Sequence, residues 1–396
     1  MARALPGLLA AVGLSAGCGV PDALEWQALR LYLAVNPNLD LADGPVPYEA
    51  EGERLRLVPV VDGLEFPWDL AFLDATNVLV TEKPGRLSRI DLGTGARTLV
   101  RGVPEVAFVG QGGLLGVELH PAFAANQRVY LSYAVALPGG TYSTRLARAR
   151  LVSDALEDLE VLLTAEPAAS GVNHFGGALE FDREGRLYLA VGERMQRHAA
   201  QDLRSHLGKI LRVHPDGSVP ADNPFVGRPG ARAEIFSWGH RNPQGLALHP
   251  TTGELWASEH GPRGGDEINV IRAGRNYGWP LISHGEEYEG GPVGVGTWRE
   301  GLEQPVHHWV PSIATAGIGF YTGRPLASWT GNLFVGGLIG TRLDRLVLEG
   351  ERVVHEEPLV RELWHRMRAV RESPAHELYV LTENGVLFRI DPAGGR

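Results

Sequence analysis

The chain has 396 residues, 44% of them hydrophobic, so it can bury a large core in two or three domains or in one large all-β or α/β unit. The formal net charge of -10, without clusters of lysine or arginine, argues against nucleic acid or an anionic membrane surface as the main partner. The 51 glycines and 27 prolines are spread along the chain, as many tight turns between short strands require.

Residues 1–18 have the features of an export signal. Arg3 supplies a positive charge, and residues 5–12 form an apolar stretch that is too short to span a bilayer. The small residues 15–17 precede Cys18, the only cysteine of the chain, as lipoprotein signal peptidase requires. We therefore expect an exported protein of the periplasm or outer cell surface, lipid-anchored at Cys18. A plain secretory signal and an N-terminal helix are the alternative interpretations.

Residues 19–55 are predicted to be a tether and lead-in. From residue 56 onward one phrase recurs, in which a small residue precedes alternating apolar positions, a polar turn and a second strand rich in Leu, Tyr and Val. Its copies include Trp68, Gly116, Gly177, Gly245, Gly319 and Ala369 in their first strands.

Copies at intervals of roughly 45 to 75 residues are what propeller blades of four strands with variable loops produce. Each copy is one hairpin of a blade. A hairpin cannot bury its own apolar faces, so the copies must stack radially and close into a ring. The sequence therefore predicts an all-β propeller of four-stranded antiparallel blades over residues 56–396. A β-sandwich with several hairpins is the alternative.

Polar residues interrupt this pattern at equivalent places, just before the first strand or just after the second strand of a copy. In a propeller these places lie at the same end of the ring, near the central channel. The sequence therefore predicts a working site at that end. The residues are Gln111, Asn173, His174, Arg241, Asn242, the segment from His260 to Asn269, Arg366 and Arg368.

Two strings carry a resemblance to a known family: HGPRGGDEIN at residues 260–269 and NYGWP at residues 276–280. From about Leu57 to Pro392 the chain resembles the glucose/sorbosone dehydrogenase family, and within it the soluble quinoprotein aldose sugar dehydrogenases. The resemblance implies a six-bladed propeller that holds pyrroloquinoline quinone (PQQ) on its wide face, with calcium polarising the cofactor. It also implies oxidation of aldoses at the anomeric carbon to lactones, with electrons passed to an external acceptor.

The resemblance also implies roles for single residues. His174 would be the general base that takes the proton of the sugar's anomeric hydroxyl. The cofactor would be bound by Gln111, Asn173, Arg241, Asn242, His260, Arg366 and Arg368. The backbone carbonyls of Gly261 and Pro262 would reach the catalytic calcium, and Glu267 with the Tyr277 carbonyl would hold a second, structural calcium.

The residue types suit these roles. PQQ is a tricarboxylate, and arginines bind carboxylates through forked pairs of hydrogen bonds. A histidine with an ordinary pKa near 6.5 is a suitable base at neutral pH, and calcium accepts carbonyl and carboxylate oxygens. Arg366 and Arg368 alternate along a predicted strand and so face one side together, whereas Arg371 has the opposite parity and is predicted to be structural.

One position departs from the family. Members commonly carry a lysine after the strand of the penultimate blade, where this chain has Ile339. One cation would then be missing from the cofactor site, unless Arg342 swings in from the same loop. Two other functions stay open. A calcium-dependent hydrolase such as a lactonase would need carboxylate or Asn side chains converging in the channel; the other is a non-catalytic carbohydrate- or protein-binding propeller.

Overall fold

The computed structural model describes residues 44–394, so the predicted signal peptide, Cys18 and most of the predicted tether lie outside it. Within that range the chain forms 25 strands, one short α-helix and three 3-10 helices. The α-helix is α1 (Phe123–Asn126), and the 3-10 helices are Arg197–Gln201, Ala327–Trp329 and Arg361–Leu363. None of these described helices is long and apolar enough to cross a membrane.

The strands form six antiparallel sheets, which we call blades 1 to 6. Blade 1 has β3 (Pro67–Phe72), β4 (Asn77–Glu82), β5 (Arg86–Asp91) and β6 (Arg97–Val100). Blade 2 has β7 (Leu114–Leu119), β8 (Arg128–Leu137), β9 (Thr141–Val152) and β10 (Ala155–Thr164). Blade 3 has β11 (Leu179–Phe181), β12 (Leu187–Val191), β13 (Lys209–Val213) and β14 (Ile235–Trp238).

Blade 4 has β15 (Pro243–Leu248), β16 (Leu255–Glu259), β17 (Asp266–Ile271) and β18 (His307–Trp309). Blade 5 has β19 (Thr315–Phe320), β20 (Leu333–Gly337), β21 (Arg342–Glu349) and β22 (Arg352–Leu359). Blade 6 has β23 (Met367–Glu372), β24 (Leu378–Thr382) and β25 (Leu387–Pro392), and adds β2 (Glu53–Val61) and β1 (Val46–Ala50) from the other end of the chain.

The six blades close into a ring. The first strands of successive blades contact one another in the cycle β3, β7, β11, β15, β19, β23 and back to β3. Each of the six predicted hairpins is the pair formed by the first and second strands of one blade. The prediction of a six-bladed propeller of four-stranded antiparallel blades is thus confirmed, with one extra strand in blade 6.

Blade 6 joins the two ends of the folded part of the chain. Strand β2 pairs with β25, with Leu55 opposite Pro392 and Leu57 opposite Ile390, and β1 then pairs with β2. The propeller's sheets therefore begin at Val46, within the segment that the sequence predicts to be a lead-in as far as residue 55.

Apolar side chains fill the spaces between neighbouring blades. Trp329 and Phe334 of blade 5, for example, pack with Phe388 of blade 6, and all three are fully buried. Burying one such aromatic side chain contributes about 1.5–3 kcal/mol. Buried hydroxyls add links between blades, since Thr81 of β4 donates to the carbonyl of Leu115 in β7 at 2.5 Å. The blades thus stack radially, as their apolar faces require.

The start of a first strand lies beside the end of the second strand. Pro67 faces Glu82 in blade 1, and Met367 faces Thr382 in blade 6. A β-bulge follows the start of the first strand in every blade except blade 3. Bulges change the direction in which side chains point and are common beside functional sites. The segments that carry the predicted site residues therefore share one end of the ring, which we call the site end.

Candidate active site

Hydrogen bonds join the blades at the site end. They bring the predicted site residues of blades 2, 3, 4 and 6 into one group, together with a lysine of blade 1. The bonds run from Lys83 Nζ to the Gly110 carbonyl (3.3 Å), from the His174 N–H to Gln111 Oε1 (2.8 Å), from the Gly176 N–H to Asn242 Oδ1 (3.1 Å) and from Arg368 Nη1 to Gln244 Oε1 (2.6 Å).

The backbone around His174 is held in a tight turn. His174 has a φ of 55°, in the left-handed region that non-glycine residues adopt only when their surroundings impose it. Gly176 follows at a φ of 67°, and a Cβ there would lie 2.6 Å from the carbonyl oxygen of Ala190. The turn thus fixes the direction in which the imidazole points.

The imidazole of His174 is buried with one nitrogen bound and the other open. Its Nδ1 lies 2.5 Å from Glu193 Oε1, whereas no residue of the described range hydrogen-bonds to Nε2. Burial lowers the pKa of His174 well below its usual value, and the charges of Arg241 and Arg194 add to this effect. A neutral ring that donates from Nδ1 to the carboxylate leaves Nε2 as a proton acceptor.

Glu193 and Arg194 contact the predicted base and its loop, and the sequence reasoning missed both. Burial raises the pKa of Glu193 to about 7, although nearby arginines oppose this shift. Arg194 donates to the carbonyls of Asn173 (2.9 Å) and Tyr142 (3.0 Å), and its guanidinium carbon is 3.5 Å from the ring centroid of Phe175. Both residues follow the second strand of the third copy, so the repeat itself contains the signal that could have found them.

Arg241 lies in the site as predicted and is almost fully buried. Its Nη1 donates to the carbonyl of Gly261 at 2.6 Å, and its Nη2 donates to the hydroxyl of Tyr288 at 3.1 Å. The guanidinium carbon is 5.3 Å from the ring centroid of Trp279. This guanidinium therefore stands between the predicted base and the predicted calcium ligands.

Asn242 and His260 also lie in the group. The Asn242 side chain is fully buried; its Oδ1 holds the turn after His174, and its Nδ2 has no hydrogen-bond partner in the described range. Burial lowers the pKa of His260 well below its usual value, as do the charges of Arg241 and Arg368. Both side chains thus present uncharged polar groups to the site.

Arg366 and Arg368 face the same side, as their alternation predicts. They donate to the two carboxylate oxygens of Glu383, Arg368 from Nη2 at 2.9 Å. Burial would raise the pKa of Glu383, yet the charges of Arg366, Arg368 and Lys83 hold it below its usual range. Glu383 and Lys83 are further residues that the sequence reasoning missed. Each directly follows the second strand of its blade, the place where the repeat marks polar residues elsewhere.

The loop at Ile339 supplies no cation. The Ile339 side chain is 46% exposed, so it does not form part of the buried group. Arg342, the predicted substitute, makes ion pairs of 2.9 Å with both Asp344 and Glu356. Its charge is therefore directed toward these two carboxylates, which lie on β21 and β22 of its own blade.

The residues predicted to bind calcium come close together. Gly261, Glu267 and Tyr277 line one cavity of about 10 Å³ together with Glu259, whereas Pro262 is buried outside its lining. Burial and the neighbouring charge of Glu259 raise the pKa of Glu267 to about 8. A cavity of this volume holds about one water or one ion, and a hard cation would relieve the repulsion between the two carboxylates.

A second group of charges lies on the first strands, deeper in the channel. Asp69, Glu118 and Glu180 surround Arg371, which pairs with Asp69 at 3.4 Å and donates to the carbonyl of Ile318 at 2.9 Å. Arg371 thus links strands, as its predicted structural role requires. Across residues 44–394, no three His, Cys, Asp or Glu side chains are arranged to hold a metal.

Residues 64–389 match the family described as Glucose / Sorbosone dehydrogenase. The chain belongs to this family. The prediction that it is an oxidoreductase of the glucose/sorbosone dehydrogenase family, similar to the quinoprotein aldose sugar dehydrogenases, is therefore confirmed.

This member of the family is similar to several proteins of known name or structure. It is 42% identical over 338 residues to the aldose sugar dehydrogenase YliI of Escherichia coli (strain K12), an alignment that covers 84% of this chain and 91% of that protein. The crystal structure of the soluble aldose sugar dehydrogenase from Escherichia coli in the apo-form has 40% identity and a TM-score of 0.83, covering 85% of this chain and 99% of that one. The PQQ-bound form of the aldose sugar dehydrogenase from Streptomyces coelicolor has 30% identity and a TM-score of 0.73, covering 87% and 99%.

Proposed function

We propose that this protein oxidises aldose sugars at the anomeric carbon to lactones, with PQQ and calcium, and passes the electrons to an external acceptor. The observation that carries the proposal is His174, whose buried Nε2 has no hydrogen-bond partner in the described range. A neutral imidazole held by a carboxylate, with its other nitrogen open, is the arrangement of a general base. The PQQ-bound relative supports the choice of cofactor.

The site end fits an anionic, polar cofactor. Lys83, Arg366 and Arg368 are all buried or partly buried and share the carboxylate of Glu383. Asp69 also acts on Arg368 but pairs with Arg371, so this group has excess positive charge. The Nε of Arg368 and the Nδ2 of Asn242 are buried donors without hydrogen-bond partners in the described range. A planar tricarboxylate with quinone oxygens would satisfy these donors and balance the charge.

Calcium would be held by oxygens of blade 4. The carbonyls of Gly261 and Pro262 would reach the catalytic ion, and the Glu267 carboxylate with the Tyr277 carbonyl would hold a second, structural ion; these are oxygens that calcium prefers. Arg241 now donates to Gly261, so an ion bound there requires an anionic group that separates it from the guanidinium. The cofactor's carboxylates would provide such a group. Calcium would supply Lewis acidity that polarises the cofactor.

The chain's own residues then act on the substrate. PQQ supplies the acceptor for the hydride of the anomeric carbon. His174 Nε2 takes the proton of the anomeric hydroxyl, and Glu193 keeps the ring in the tautomer that can do so by accepting from Nδ1. Arg194 holds the backbone of Asn173 and so fixes the loop that carries the base. Burial of the imidazole excludes bulk water from the proton that is transferred.

The site of action that we propose is outside the cytoplasm. It rests on the predicted export signal and on Cys18, both of which lie outside the described residues. Cys18 would carry a lipid anchor to the membrane, and the external acceptor would be reached from the cell surface or periplasm. Metabolic labelling with a radioactive fatty acid checks this, since Cys18→Ser should abolish incorporation.

Reconstitution of the apoprotein tests the proposed function. The purified chain is mixed with PQQ and calcium, and dye reduction is followed with glucose and other aldoses. We expect dye reduction that requires PQQ, calcium and sugar together. A protein that binds PQQ but reduces no dye with any aldose would overturn the choice of substrate. Lactone hydrolysis without quinone would favour the hydrolase, and sugar binding without a PQQ spectrum would favour a binding propeller.

A further inference from the structure

The chain has only two lysines, Lys83 and Lys209, and both are buried. Lys209 is held by the fold: its Nζ donates to the carbonyls of Ala199 (2.9 Å), Ala200 (3.0 Å) and Leu207 (2.7 Å). An ammonium has three N–H donors. Lys209 therefore uses all of them within the protein, which defines a structural lysine.

Lys83 is bound much less completely. Its Nζ donates to one acceptor of the described range, the carbonyl of Gly110 at 3.3 Å, and it lies 5.9 Å from the ring centroid of Phe108. The residue is only 5% exposed, so water does not replace the missing acceptors freely. A buried ammonium with unused donors is costly unless a ligand satisfies it.

The charges around Lys83 favour an anionic ligand. Glu383 is the one carboxylate that acts strongly on it, and Glu383 is shared with Arg366 and Arg368. Burial lowers the pKa of Lys83 to about 8, a shift that Glu383 opposes and that the charges of Arg368 and Arg366 support. Asp69 also acts on Arg368, but it pairs with Arg371 at 3.4 Å. The three cations are therefore left short of negative charge.

The position of Lys83 also fits the cofactor site. The carbonyl of Gly110 accepts a hydrogen bond from Lys83. The next residue is Gln111, whose Oε1 accepts a hydrogen bond from the backbone N–H of His174. On the other side, Arg366 donates from Nη1 to the carbonyl of Leu338 at 3.4 Å, directly before Ile339. Lys83 and the loop at Ile339 thus border the same group of charges from different blades.

We propose that Lys83 binds a carboxylate of the cofactor and adds a cation from blade 1 to those of Arg366 and Arg368. The inference rests on the proposed function, because the ligand is PQQ. A lysine suits this place better than an arginine, since its compact ammonium fits beside two guanidinium groups without competing for the same planar contacts. Lys83 is then a cofactor-binding residue of blade 1.

The first test is the affinity of the apoprotein for PQQ in the presence of calcium, measured by quenching of tryptophan fluorescence. Lys83→Met should weaken binding roughly 10- to 100-fold, the usual effect of losing a hydrogen bond to a charged group. Lys209→Met is the matched control, and its affinity should stay within threefold of the wild type even if the protein is less stable. Thermal melts show whether each variant is folded.

The second test is the pH dependence of the same affinity, which does not depend on Lys83→Met being folded. The ammonium binds the carboxylate only when it is protonated, so affinity should be constant below pH 8 and fall as the pH rises above it. Lys83→Arg keeps its charge over the whole range. Its affinity should therefore lack the fall above pH 8 that the wild type shows.

The outcomes separate the two proposals. If the wild type binds no PQQ, the proposed function fails and the inference fails with it. If the wild type binds PQQ but Lys83→Met binds it equally well, or Lys83→Arg shows the same fall above pH 8, the role of Lys83 is refuted and the proposed function stands. A selective loss in Lys83→Met, with the fall removed in Lys83→Arg, supports both.

Discussion

Blades 3 and 4 contain the same device, a buried histidine paired with a buried glutamate. His174 pairs with Glu193 through Nδ1 at 2.5 Å, and His240 pairs with Glu259 through Nδ1 at 2.8 Å. In both pairs the partners are 19 residues apart in the chain. The histidine precedes the first strand of its blade, and the glutamate stands at or just beyond the end of the second.

The two pairs differ at the other ring nitrogen. His240 Nε2 lies 2.8 Å from the hydroxyl of Ser237, and its ring stacks on Tyr277 with centroids 4.7 Å apart. His174 Nε2 has no such partner in the described range. Burial and a carboxylate partner therefore do not mark a catalytic histidine by themselves. In our proposal the open nitrogen distinguishes His174 from His240, because it is the atom that can accept a proton.

Removing each imidazole tests the difference between His174 and His240 most directly. His174→Ala should lower kcat of the reconstituted enzyme about 10²- to 10⁴-fold, the usual contribution of a general base, and leave the affinity for PQQ nearly unchanged. His240→Ala should keep most of the turnover but cost about 3 kcal/mol in the free energy of unfolding, because Glu259 loses its buried partner. Steady-state kinetics and urea denaturation of both variants check this.

Equal losses of turnover in the two variants would mean that the open nitrogen makes no difference. A loss of PQQ affinity in His174→Ala that matches its loss of turnover would mean that His174 has a structural role.

The carboxylate of Glu193, which pairs with His174, should control the pH dependence of kcat/KM. Below pH 7, Glu193 takes up a proton, because burial has raised its pKa to about 7. Its hydroxyl can then donate to Nδ1 of His174, which places the imidazole proton on Nε2 and removes the acceptor. We expect kcat/KM to fall about tenfold per pH unit below about pH 7.

Glu193→Gln tests this assignment. The amide can donate to Nδ1 at every pH and so favours the wrong tautomer, as occurs when the aspartate of a serine protease triad is replaced by asparagine. We expect a loss of at least about 100-fold in kcat/KM, and kcat/KM should no longer fall below pH 7. If the same fall below pH 7 persists in this variant, another group is responsible for the titration.

The smallest effect is expected at the pair of His240 and Glu259, whose second ring nitrogen is bound by Ser237. Ser237→Ala removes the hydroxyl from His240 Nε2 and should cost about 1 kcal/mol in the free energy of unfolding. Turnover should stay the same, because this nitrogen is remote from the substrate in our proposal. A change in turnover larger than the change in stability would show that His240 takes part in the chemistry.

The fold was largely predictable from the sequence because each blade repeats a local pattern. In the repeated pattern a first strand with alternating apolar positions is followed by a polar turn and a second strand rich in apolar residues, and six such hairpins bury their faces when they stack in a ring. The pairing of β2 with β25 was not predictable in this way. Its strands lie at opposite ends of the domain, so neither has a turn or neighbouring repeat that identifies its partner.

The site was predictable where motifs are distinctive and incomplete where they are not. His174, Arg241 and the HGPRGGDEIN string interrupt apolar strands, whereas Lys83 and Glu383 resemble ordinary charged residues at strand ends. Their importance comes from burial against other blades, which depends on how the blades close on one another. The spacing of residues along the sequence does not show how closely residues of different blades approach one another.

The pairing of β2 with β25 has a consequence for how the protein is made. Leu55 and Pro392 face each other in the last blade, yet almost the whole domain is synthesised between them. At translation rates of about 5–20 residues per second, roughly 20 to 70 s separate the two strands on the ribosome. During this time the edge of β2 that pairs with β25 has no partner, which makes it prone to aggregation. A chaperone that shields this strand would therefore raise the yield of closed propeller more than one that binds any later strand.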